Sequence, residues 1–159
     1  MSRRDQITLS ASERLELLAQ QRVVTVSSNG PRGWPHSMPM WFTVREPERG
    51  GEIWIWTYAK SQKVKNLERD PRATLLVEAG HEYLELRGVQ IEAEAEIIRD
   101  PDRVLEFGME LALRYADGVE ELGEDAADGM RAQAPKRVAI RFEPVRTASW
   151  DHRKLGGTY

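Results

Sequence analysis

TYAKSQKVKNLERDP, residues 57–71, joins a strand end, three lysines and a helix stop in one short stretch. The strand EIWIWTY runs out at Tyr58 and a helix starts at Ser61. Asp70-Pro71 halts it, because proline cannot continue a helix and biases the preceding residue toward extended backbone. Lys60, Lys63 and Lys65 crowd the helix start, where aligned peptide dipoles already leave partial positive charge. Two arrangements reconcile these charges. An anion at the free helix N–H groups would make the lysines its ligands, with Ser61 as cap. Otherwise this is a surface helix whose lysines splay into water. Spacing alone leaves both open.

Outward from this stretch, short strands dominate. Upstream, Ser10 and Glu13 form a capping-box pattern, and Leu15, Leu17 and Leu18 predict a short amphipathic helix ending near Gln21. RVVTVSS predicts a strand over 22–28, NGPRG a turn, and a second strand follows over 36–44. Pro39 interrupts that strand, which marks an edge, a bulge or a close ligand approach. Downstream, ATLLVEA is a strand, and YLELRGVQIEAEAEII alternates for much of its length, with Gly88 marking a bulge or barrel corner. Asp100-Pro101 reads as N-cap and first helical position of a helix ending by Gly118. Residues 119–134 are acidic and poor in large apolar groups, which predicts a loop or loosely packed helix. KRVAIRF is a strand that VRTASW extends past Pro144, and HRKLGGTY reads as a tail.

Six or seven strands with three or four helices, mostly antiparallel by their short connections, predict an α+β fold built on a closed or partly closed barrel. No GxGxxG follows a strand, so a doubly wound nucleotide fold is not supported. The 159 residues suit one domain: an N-terminal helix over 1–21, a barrel over 22–150 with a helical insertion at 101–134, and a tail over 151–159. The net charge of -3 gives no basic bias toward nucleic acid or an acidic membrane, and no run is apolar enough to span a bilayer. Cysteine is absent, which removes thiolate chemistry and disulfides. With no secretory pattern in MSRRDQITLS, a cytoplasmic protein is the expectation.

Few side chains suggest chemistry of their own. His36, His81 and His152 have no metal-ligand spacing, the row Glu92, Glu94 and Glu96 reads as an exposed strand face, and no nucleophile-elbow motif occurs. No catalytic side chain or metal site is expected.

The order of motifs resembles the pyridoxamine 5'-phosphate oxidase-like split β-barrel superfamily. Its flavin-binding members carry S-R-K between an aromatic strand and a helix ending in N-P or D-P; this chain has Ser61-Gln62-Lys63 and then Asp70-Pro71. GWPHSMPMWF resembles the family's second strand, ELRGVQIEAEAEI its long fifth strand, and SWDHRKLGG the C-terminal end of actinobacterial members. The resemblance implies a split β-barrel homodimer with a cofactor at each subunit interface. It assigns Ser61, Lys63 and Asn66 to the cofactor phosphate, Lys60 to the phosphate or an acidic tail, and Pro39, Met40, Trp41, Trp56 and Thr57 to the ring pocket. It also places the Trp150-Asp151 pair near the partner's cofactor. For the tryptophans, core or interface packing remains the other account.

Gln62 stands where the flavin binders have arginine, so a fork suited to a phosphate dianion is missing. Coenzyme F420, whose phosphate is a monoanionic diester, suits such a site better than FMN. The resemblance thus implies an F420-dependent oxidoreductase acting on a conjugated small molecule. An FMN-dependent oxidase or reductase and a non-enzymatic cofactor carrier or haem-binding protein are the rivals.

Overall fold

The computed structural model describes residues 2–156, with the backbone alone described at Arg49. Two helices, α1 (Arg3–Ile7) and α2 (Ala11–Gln20), precede seven strands. These are β1 (Val24–Asn29), β2 (Pro35–Met40), β3 (Thr43–Arg45), β4 (Glu52–Tyr58), β5 (Arg72–Ala79), β6 (Arg87–Ile98) and β7 (Arg137–Asp151). Helix α3 (Gln62–Arg69) follows β4, and α4 (Pro101–Tyr115) and α5 (Glu124–Gln133) lie between β6 and β7.

All strands join one antiparallel sheet in the order β2-β1-β5-β6-β7-β4-β3. The edge strands β2 and β3 are consecutive in the chain, separated by Trp41 and Phe42 alone. A flat sheet of seven strands would hold its edges about 29 Å apart. The three residue steps from Met40 to Thr43 reach only about 10 Å. The sheet therefore curls until its edges nearly meet, which makes a barrel with a seam. The α+β barrel expected from the strand pattern is the fold.

Alternation sorts the side chains. The inner face gathers Val24, Val26, Ile53, Ile55, Leu75, Val77, Val89, Ile91, Ile140 and Phe142, all buried. Burying each such side chain is worth about 1.5–3 kcal/mol. Leu17 and Leu18 of α2 and Val64 and Leu67 of α3 complete this core. Helix α4 covers the outer face of β4 and β7 with a second cluster that includes Trp54, Trp56, Phe107, Leu111 and Tyr115.

The structure departs from the sequence reading in three places. The strand expected over 36–44 breaks at Trp41-Phe42, because the chain there steps across the seam. The bulge lies at Glu92/Ala93, where Val145 is the extra residue on β7, and not at Gly88. Gly88 instead faces Trp150, whose ring would lie 2.4 Å from any Cβ placed there. Residues 152–155 form a short 3-10 helix in place of a loose tail. The His152 N–H donates to the Leu86 carbonyl and Lys154 reaches Thr8 and Glu13, so this end is tied to the barrel. Residues 157–159 of the expected tail lie outside the described residues.

The helix expected in the acidic segment and the exposed glutamate row are both present. Residues 124–133 form a helix in which Ala127 is the buried side chain. Glu92, Glu94 and Glu96 are exposed, and Glu92 and Glu96 pair with Arg146 and Arg141.

Candidate functional site

Helix α3 closes one end of the barrel, and it buries polar groups as well as apolar ones. Val64 and Leu67 enter the core, as a plug requires. Lys63 and Asn66 are adjacent on the same face at i and i+3, and both are buried; Lys63 is only 6% exposed. The Lys63 Nζ donates to Thr57 Oγ1 at 3.0 Å, and Asn66 Nδ2 donates to Ser28 Oγ at 3.1 Å. Gln62 Nε2 donates to Asn66 Oδ1 at 2.8 Å. One short helix thereby ties β1 to β4, two strands that flank the seam.

The charge balance of this cluster is unfinished. Among the described residues no carboxylate forms an ion pair with Lys63. Burial pushes its pKa down from the ordinary lysine value, and the positive charge of Arg137 lowers it further. Ser61 sits at the N-cap position with extended backbone, yet its hydroxyl makes no capping bond and is buried without a hydrogen-bond partner. A buried ammonium and an unpaired hydroxyl beside the first-turn N–H groups of α3 form a site complementary to an anion. A phosphate fits this donor set. Of the three lysines in the opening stretch, Lys63 turns inward, whereas Lys60 and Lys65 are exposed.

The seam supplies a slot next to this cluster. Strand β3 pairs with residues 52–54 of β4, so residues 55–58 have no ladder partner on that side. Strand β2 is the opposite edge, and it pairs with β1 alone. Two strand edges with free backbone donors and acceptors thus face each other, which suits a flat ring bearing polar edges. Along β2, Met40 lies opposite Val24, Met38 opposite Val26 and His36 opposite Ser28, so these three side chains share the inward face. Pro39, opposite Thr25, takes the other face. From His36 to Trp41 the strand spans about 17 Å.

The structure brings Ser61, Lys63, Asn66 and Thr57 into one cluster. Lys60 is exposed, one residue before Ser61. Pro39, Met40 and Trp41 stand at the far end of the seam, where Trp41 stacks on Tyr115 at 4.2 Å between ring centroids and 7° between planes. Trp56 is buried under α4, on the face of β4 opposite Thr57. Gly108 is what admits its ring, since a Cβ there would lie 2.9 Å from the indole.

Ser28, Arg137 and Tyr115 escaped the sequence reading. Ser28 had a signal: it is the polar member of the inward row Val24, Val26, Ser28. Arg137 and Tyr115 reach this region through strand pairing and helix packing that no local pattern encodes. Among the described residues no group of three or more metal-ligating side chains occurs, and no helix is long and apolar enough to cross a membrane.

The geometry predicts a particular pH response in the ligand-free protein. Below its lowered pKa, Lys63 is charged in both folded and unfolded chains, and its burial cost is fully present. Between that pKa and the ordinary lysine range the unfolded chain binds more protons, so stability rises with pH. Lys63→Met is therefore expected to be at least as stable as the wild type at pH 7, with its relative advantage shrinking as pH rises toward 10. Urea denaturation of both proteins across this range is the check. An unchanged difference would show that Lys63 does not titrate within it.

Residues 11–151 match the pyridoxamine 5'-phosphate oxidase family, and the chain belongs to that family. No curated protein matches the chain. Among solved structures, it is similar to a conserved hypothetical protein, Rv2991 from Mycobacterium tuberculosis, with 37% identity over 100% of this chain and 95% of that one, at a TM-score of 0.86. An F420 reductase shares the fold at 22% identity and a TM-score of 0.62, covering 84% of this chain and 94% of its own. So does the heme storage protein HutZ from Vibrio cholerae, at 13% identity and a TM-score of 0.66, covering 88% and 95%. Proteins named as an F420 reductase and as a heme storage protein thus share this fold.

Proposed function

We propose that this protein is an F420-dependent oxidoreductase that transfers a hydride between reduced deazaflavin and a conjugated small organic molecule. The observation that carries the reading is the buried Lys63 ammonium beside the unpaired Ser61 hydroxyl, with Gln62 in place of a second fixed cation. One strong charge and neutral donors match a phosphate monoanion. The name of the structurally similar F420 reductase agrees with this choice.

In this reading Ser61, Lys63 and Asn66 hold the phosphate end, directly or through Gln62, and Lys60 guards the entrance. Thr57 orients the Lys63 ammonium. Pro39, Met40 and Trp41 wall the ring, and Trp56 supports the free edge of β4 from behind. Bound F420 supplies the hydride itself. The protein's part is to align ring and acceptor and to exclude water, and no side-chain acid or base is assigned. The slot lies open on one molecule, with Trp41 and Tyr58 exposed beside it. A second copy would cover it, so the working form is a homodimer with a cofactor at each interface, in the cytoplasm.

An FMN-dependent reaction is the rival, favoured by the additional charge of Arg137 near Lys63. Absorbance and mass of the cofactor released from purified protein separate the two. Gln62→Arg is expected to improve FMN binding relative to F420 by about 1 kcal/mol or more, because a guanidinium fork favours the dianion. Tight FMN binding and no F420 binding by the unmodified protein would overturn the assignment.

A further inference from the structure

A cleft between α2 and the paired ends of β6 and β7 has no part in the site described above. It holds about 350 Å³. Glu13, Glu16, Leu17 and Gln20 form its helical wall, at the spacing that puts them on one face of α2. The facing wall is made by the ladder partners Arg87 and Asp151 and by Arg153. Buried Leu9 and Leu17 supply an apolar floor. Most charges here are already matched. Asp151 is buried, and Arg153 donates to both its oxygens, Nε to Oδ1 at 2.9 Å and Nη2 to Oδ2 at 2.6 Å. Glu13 accepts from the Ser10 N–H at 2.7 Å and from Lys154 at 2.8 Å. Two groups are left. Arg87 is half-buried, and among the described residues it has no ion-pair or hydrogen-bond partner; its charge acts on Asp151 only at a distance. Glu16 is exposed and accepts from the neutral Gln20 amide alone, at 2.9 Å.

An open cation and an open carboxylate on facing walls select the charge type of a ligand. A simple anion would meet Arg87 but also the carboxylates of Glu13, Glu16 and Asp151. A simple cation would meet Glu16 but also Arg87 and Arg153. A molecule that carries both charges suits both walls. We propose that this cleft binds a free α-amino acid with an apolar side chain. The carboxylate takes the Arg87 fork, a geometry that guanidinium and carboxylate share. The ammonium takes Glu16, and the side chain lies on Leu9 and Leu17. Such a ligand matches both open groups without adding net charge, and it ties α2 to the ends of β6 and β7. The cleft shares no residue with the cofactor site proposed above. Asp151 is the member that the family resemblance places near the partner's cofactor, so the test must separate the two roles.

The probes are L-leucine, L-valine and L-phenylalanine. Leucinamide, which lacks the carboxylate, and N-acetyl-leucine, which lacks the ammonium, are the controls. Calorimetric titration and thermal unfolding are run on the wild type, Arg87→Gln and Glu16→Gln. Arg87 has no partner to lose and Glu16 is exposed, so both variants are expected to fold with ligand-free midpoints close to the wild type. At least one amino acid is expected to raise the wild-type midpoint by about 3–6 °C at tenfold excess over its Kd. Both controls are expected to bind about tenfold or more weakly than leucine, and Arg87→Gln to weaken the amino acid by the same factor. Glu16→Gln is expected to weaken it several-fold. No binding of any of the three amino acids at about 10 mM overturns the proposal. So does equal affinity for the controls, or binding that Arg87→Gln leaves unchanged. FMN and F420 titrations complete the set, and Arg87→Gln is expected to leave both affinities as they are. A loss of cofactor affinity in Arg87→Gln would give the cleft to the partner's cofactor and overturn the proposal. None of these outcomes turns on which cofactor binds, so the F420 assignment stands or falls separately.

Discussion

Lys63→Ala is expected to weaken cofactor binding by about 1.5–3 kcal/mol, the scale of a charge-assisted hydrogen bond, or about 10- to 150-fold in affinity. The folded protein itself should lose little. Most buried lysines are anchored by a carboxylate, and removing such a cation strands a buried anion. Among the described residues Lys63 has no such partner; it faces the Thr57 hydroxyl and the charge of Arg137. Its removal leaves a hydroxyl that can rebond and relieves a repulsion. The expected signature is therefore a split: affinity falls for F420 and FMN alike, and the ligand-free midpoint of unfolding stays level or rises. Fluorescence titration with each cofactor, beside urea denaturation without it, reads both halves. Unchanged affinity for both cofactors would remove Lys63 from the site. Equal losses in affinity and stability would make it a structural lysine.

The barrel was legible because its information is local. β-Branched runs, short connections and the break at Asp70-Pro71 encode strands and turns one at a time, and short antiparallel links leave few topologies. The helix start at Ser61 was legible for the same reason. The orientation of its lysines was not. Lys60, Lys63 and Lys65 look alike in sequence, and only the placement of α3 across the barrel end turns Lys63 inward. The break at Trp41-Phe42 was hidden because it falls inside the unbroken run Met40-Trp41-Phe42-Thr43-Val44, which holds no turn residue; the seam that forces the step is a property of the closed sheet. Gly88 misled in an instructive way. Glycine within a strand signals either a bulge or a close approach, and the Trp150 ring that decides the matter lies on a strand about 60 residues away.

Tyr115 is the second position where a large effect is expected, because it clasps the seam. Its ring is almost fully buried, and its hydroxyl accepts the Phe42 N–H at 3.0 Å. The same O–H can donate to one of two carbonyls, Arg22 at 2.7 Å or Phe42 at 3.0 Å. Phe42 is fully buried where the chain steps from β2 to β3, so no water replaces these bonds. Arg114 works beside it, donating to the Phe42 carbonyl and to the carbonyls of Leu18, Ala19 and Gln21 at the end of α2, where helix carbonyls lack partners. Tyr115→Phe keeps the ring and its stacking on Trp41 but strands the Phe42 N–H, at a cost of about 1–3 kcal/mol. Tyr115→Ala also opens a cavity and unstacks Trp41, which raises the cost to about 3–5 kcal/mol. Urea denaturation of both variants measures the two steps. The difference between them isolates the ring, and the smaller loss isolates the hydroxyl. A Tyr115→Phe variant as stable as the wild type would mean that the seam is held by packing alone. If the clasp also sets the Trp41 ring, Tyr115→Ala should weaken cofactor binding beyond Tyr115→Phe when both are compared at a temperature where each is fully folded.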